Sequence, residues 1–184
     1  MLKTIVALGL LAGWAWTATA NVPGGRAAAA ARSRALVALT GPKCAVAERG
    51  YALATTEEQF VRLWQRYRGE KATGKYDAHY NEIGLPVVDF ERCCVLTIFH
   101  GEGWNSAGLA VESIAELDDR VRFRYDDKSY QTEGPDGGGE RCRVYGFFVL
   151  PRTSKQLVVE QNVQGLIGGE PVWKERATFP EAKR

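Results

Sequence analysis

Three patterns of hydrophobic and polar positions divide the chain. An apolar stretch opens it, a helical period surrounds residue 60, and a period of two governs nearly everything beyond residue 93. The helical segment is the clearest. Phe60, Leu63, Trp64 and Tyr67 recur at the spacing that stacks side chains on one helix face. Thr55 serves as its N-cap, Glu58 completes a capping box, and Glu57 adds negative charge to the first turn. Gly69 ends it, and the stripe, Trp64 included, is expected to pack into the core.

A strand is expected over 44–53, before the helix, and residues 70–86 read as an irregular excursion with Gly74, Gly84 and Pro86. Beyond it come strands over 93–99 and 108–114. A half-buried strand follows, in which Val121, Phe123 and Tyr125 alternate with Arg120, Arg122 and Arg124. Further strands span 141–150, 156–161 and 171–179. One helix followed by successive strands predicts an α+β fold, with the helix packed on a mainly antiparallel, meander-like β-sheet.

In a meander, connections alternate between the two ends of the sheet. One end would hold short turns near Asp118-Asp119 and at 152–155. The other would hold the longer, Gly-rich segments 100–107, 130–140 and 162–170. Long loops gathered on a rigid sheet commonly carry binding. The candidate binding surface is therefore His100, Glu102, Trp104, Asn105, Tyr130 and Asp136.

Composition adds compartment and excludes some partners. Residues 1–20 have the form of a secretory signal: Lys3, an apolar run over 5–16, and Ala18-Thr19-Ala20 as the cleavage motif. The apolar run is shorter than the roughly 20 residues of a membrane span, so no stable membrane insertion is expected. Residues 21–35, rich in Ala, Arg and Gly, read as a flexible lead-in, and 36–184 as a single domain. A net charge of +2 with interspersed signs disfavours nucleic-acid binding. In an exported chain, periplasmic or extracellular, Cys44, Cys93, Cys94 and Cys142 can oxidise, and at least one disulfide is expected from Cys44 or Cys142 to the Cys93/Cys94 pair.

Tests for chemistry select nothing. The two histidines, His79 and His100, lie in no nucleophile motif, and Cys93 and Cys94 sit in an apolar strand that would raise a thiol pKa. Asp77, His79 and Glu82 match no metal-site spacing, and no C-x-x-C is present. Gly137-Gly138-Gly139 lacks the Lys-Ser/Thr ending of a phosphate loop. No catalytic, cofactor-binding or metal-binding residues are expected, and no cofactor.

From about Gly50 onward the order of features resembles the C-terminal domain of PrcB-type protease-complex subunits. GYALATTEEQF leads into the Leu63-Trp64 helix, then come Val87 to Phe90 (VVDF) and an apolar strand ending at Gly101. Ser106-Ala107-Gly108-Leu109 stands where that family has a Thr-Gly-Gly-Tyr turn. Val144-Tyr145 and Leu150-Pro151-Arg152 stand where it has a Pro-Tyr strand that ends at a proline and a basic residue. The resemblance implies an exported, non-enzymatic accessory module that assists or stabilises a protein partner such as a protease. Two alternatives remain: a protease-inhibitor-like module whose loops plug a cleft, and a hydrolase drawing on some of the 22 carboxylates.

Overall fold

The structure is a computed structural model that describes residues 32–33, 35, 37–69, 84–132, 137–165 and 169–181. The signal segment, the Asp77/His79/Glu82 group and Asp136 lie outside the described residues. The described chain runs β1(Arg32–Ser33), β2(Val37–Gly41), β3(Gly50–Ala54), α1(Glu57–Arg68), β4(Cys93–Trp104), β5(Ser106–Glu116), β6(Arg120–Ser129), β7(Arg141–Pro151), β8(Gln156–Asn162) and β9(Trp173–Phe179).

The strands form two sheets, which corrects the α+β expectation. Sheet A has the order β1-β5-β6-β8-β9 and sheet B the order β2-β7-β4-β3. The molecule is mostly β and closer to a sandwich, with one short helix outside it. The meander is corrected too. The chain leaves sheet B between β4 and β5, returns to it at β7, and re-enters sheet A at β8, which pairs parallel to β6.

Two apolar layers explain why the sheets stack. Leu96, Ile98, Phe148 and Leu150 of sheet B meet Ile114, Phe123, Tyr125 and Val159 of sheet A in the layer between them. Alternate residues of the same sheet B strands, Val95, Phe99, Tyr145 and Phe147, face the other way and pack under Phe60, Leu63 and Trp64 of α1. Sheet B is thus covered on both faces, which is why 94–99 is buried throughout and apolar but for Thr97.

The helix is capped one residue later than its sequence implied. Thr56, not Thr55, is the N-cap and accepts from the Gln59 amide, while the Gln59 side chain accepts from the Thr55 amide. Glu58 instead reaches Arg62, one turn on. Gly69 closes the helix in a left-handed conformation.

The expected strand over 44–53 shrinks to Gly50–Ala54, because Ala45 is tied to the helix end through Tyr67 (2.8 Å) rather than to a neighbouring strand. Ahead of β2, Arg32–Ser33 pairs with β5 at the edge of sheet A. Conversely, β4 continues past residue 99 through a bulge at Phe99/Gly101. At Gly101, φ is 92°, and a Cβ would lie 3.2 Å from the Ala47 carbonyl, so only glycine lets the two backbones approach here.

All four cysteines are free thiols, and the expected disulfide is not formed. Strand register gives the reason. Cys142 lies opposite Gly103, nine positions along β4 from Cys94, or about 30 Å at the usual strand rise. Cys44 lies beside Tyr145, which is opposite Phe99, about 20 Å from Cys93 by the same measure. A disulfide requires Cα atoms within about 7 Å.

Candidate binding surface

Strand register brings three connections to one end of the sandwich. Trp104 pairs with Arg141, Ser106 with Ser129, and Asn162 with Trp173, while β8 runs parallel to β6. Residues 100–107, expected as a loop, are instead strand up to Trp104, a turn at Asn105, and strand again from Ser106.

Asn105 is the pivot of this end. Its φ of 52° is left-handed, a conformation that asparagine tolerates better than most residues. It is held from three sides. Its amide donates to the Glu140 carbonyl (2.8 Å), its carbonyl accepts from the Tyr130 amide (2.8 Å), and its side-chain oxygen accepts from the Glu140 amide (2.7 Å). The turn that carries the chain between sheets thereby also fixes both ends of the 130–140 loop.

Two aromatic side chains project from this frame. Trp104 is 57 % exposed and Tyr130 is 42 % exposed. The indole does not swing freely. Arg141 stacks over it at 5.1 Å, and Gly139 lies so close that a Cβ there would sit 3.0 Å from the ring. The Tyr130 hydroxyl donates to the Glu140 carboxylate (3.2 Å), which also pairs with Lys43 (3.4 Å). Desolvation and that carboxylate hold the Tyr130 phenol above its ordinary value.

Glu102 and His100 belong to the body of β4. Glu102 forms an exposed ion pair with Arg143 of β7 (2.9 Å). Two residues apart on a strand, Glu102 and Trp104 share a face, as do Arg141 and Arg143. The surface is therefore a short ladder, Glu102–Arg143 beside Trp104–Arg141, continued by Tyr130, Glu140 and Lys43. Lys43, Glu140, Arg141 and Arg143 were not among the residues expected from sequence. The alternation of Arg141 and Arg143 about buried Cys142 was the available signal.

His100 is half-buried and faces inward instead, its ring edge-on to Tyr125 at 6.3 Å. Its Nε2 lies 3.3 Å from Arg49, whose Nε donates to the His100 carbonyl (2.9 Å). Burial and then Arg49 lower its pKa, keeping it neutral at pH 7. Below it, the buried Ser106 hydroxyl donates directly to the Asp127 carboxylate. Burial pushes the Cys94 thiol up to about 11 and also raises Cys44. Among the described residues no three His, Cys, Asp or Glu side chains stand together as a metal site. No described helix is long and apolar enough to cross a membrane.

The arginines of β6 lie on the face of sheet A opposite the core-facing Phe123 and Tyr125. Arg124 pairs with Glu160 (2.6 Å) and lies 4.6 Å over the Trp173 ring, so this part of the β6 face is already occupied. Compared with known proteins, the chain matches no family model, no curated protein and no solved structure.

Proposed function

We propose that this chain is an exported, non-catalytic accessory module that binds a protein partner through the Trp104 end of the sandwich. One observation carries the reading: a tryptophan more than half exposed, yet clamped between Arg141 and the Gly139 backbone on a hydrogen-bonded turn. Interface energy concentrates in aromatic and arginine anchors, and an anchor already held in place loses little entropy on binding. The exposed Glu102–Arg143 and Lys43–Glu140 pairs give it the polar rim that such anchors usually have.

The non-catalytic part of the proposal rests on how candidate nucleophiles are engaged. The Cys94 thiol is protonated, Ser106 is bonded to a carboxylate rather than to an imidazole, and His100 faces a guanidinium. The resemblance to PrcB-type subunits agrees with an accessory role and nominates a protease as the kind of partner. The inhibitor-like alternative uses the same surface and differs in its outcome, since it would block the protease it binds.

The test is affinity capture from the native exported fraction with wild-type and Trp104→Ala protein, followed by protease assay of what is captured. Capture lost in the variant, with its melting curve unchanged and no protease blocked, supports the proposal. Equal capture by both proteins refutes the site. Nanomolar blockade of a captured protease replaces the accessory role with inhibition.

A further inference from the structure

At the end of the sandwich opposite Trp104, the two sheets part and leave a cavity of about 140 Å³ between them. Sheet B contributes Leu53, Cys94 and Leu150 to its wall, and sheet A contributes Ile114, Val121 and Leu157. The cavity opens to solvent at its rim, where Thr55, Glu116, Thr153 and Lys155 line it beside the apolar wall. Apolar cavities of about 150 Å³ stay dry and accept a guest the size of benzene. The volume therefore fits an apolar group of about six carbon atoms.

The rim defines the other half of the ligand. Lys155 is satisfied within the protein, with Nζ 2.8 Å from the Glu116 carboxylate and 2.8 Å from the Leu117 carbonyl. Arg152, in the same turn, lines the cavity, and one of its nitrogens donates to the Phe90 carbonyl (2.8 Å). That bond fixes the guanidinium at the mouth while leaving it, among the described residues, without a carboxylate partner. A planar guanidinium beside an apolar wall matches a carboxylate joined to a short apolar body.

We infer that this cavity is a binding site for a small monocarboxylate carrying an apolar chain or ring of about six carbon atoms, the tail between the sheets and the carboxylate on Arg152. The site lies at the far end from the proposed protein-binding surface, and either assignment stands or falls without the other.

The experiment is an NMR titration of methyl-labelled protein with hexanoate, 1-hexanol and acetate, repeated on Arg152→Gln and Val121→Phe. Arg152 is exposed, so its variant keeps the fold. Hexanoate should give saturable shifts at the Leu53, Ile114, Val121, Leu150 and Leu157 methyls, and acetate should give none. Arg152→Gln should weaken hexanoate about tenfold, as for a lost charge-assisted hydrogen bond, and leave hexanol unaffected. Val121→Phe, which fills the lip of the cavity, should abolish both. The inference is overturned by unsaturable shifts with hexanoate, by acetate binding as well as hexanoate, or by unchanged hexanoate affinity in Arg152→Gln.

Discussion

His100 shows how single residues at the Trp104 end are tied to the interior. Arg49 faces it from the segment before β3, Tyr125 and Asp127 from β6, and Arg176 from β9. Burial and the two arginines disfavour the charged ring more than Asp127 favours it, so its folded pKa lies below the ordinary 6.5. The unfolded chain therefore takes up the proton first. His100 contributes its full stability above about pH 6.5 and loses it as pH falls through the lowered folded value. Urea midpoints between pH 7 and pH 5 should drop less in His100→Gln than in wild type; parallel drops in the two proteins would show that His100 is not the sensing group. None of this was legible in the sequence, where His100 stood only at the end of an apolar run. Its partners come from three other elements, and strand pairing alone brings them together.

Helix α1 was the element most legible in the sequence, because its stripe needs only local spacing. Trp64 is 6 % exposed and lies 5.2 Å from the Phe147 ring and 5.0 Å from the Tyr67 ring. Trp64→Ala should cost about 3–5 kcal/mol, as for other large buried aromatics, and a loss below about 1 kcal/mol in denaturant melts would contradict core packing. Its cap was legible only to within a residue, because Thr55 and Thr56 are adjacent and Glu58 and Gln59 both suit a capping box. The structure assigns the cap to Thr56, so Thr56→Ala should cost about 1 kcal/mol, as typical N-caps do. Equal losses for Thr55→Ala and Thr56→Ala would place the cap between them. Strand β4 was legible to residue 99 and no further. Gly101, Glu102 and Gly103 have low strand propensity, and what holds them is non-local: pairing with β7 and a bond from the Glu102 amide to the distant Ala47 carbonyl (2.9 Å).

For the whole molecule, alternation along each strand told which residues turn inward but not which sheet receives them. The arginine side of β6 therefore resembled the outer face of a single sheet, and nothing local announced that β7 crosses to the other sheet before β8 returns beside β6. Clustering of connections at one end survives that correction, because each crossing between sheets still reverses the chain direction. The register that separates Cys44 and Cys142 from the Cys93/Cys94 pair carries its own prediction: unfolded, unreduced protein should titrate with four thiols, and a count of two would contradict the free cysteines of this fold. The central claim is that the Trp104 end is the protein-binding end. Its most direct test is the Kd of the purified partner for wild type, Trp104→Ala and, at the opposite end, Arg152→Gln. The account predicts a loss of at least about 2 kcal/mol, roughly 30-fold in Kd, for Trp104→Ala and no change for Arg152→Gln. An unchanged Kd in Trp104→Ala, or an equal loss in Arg152→Gln, would contradict it.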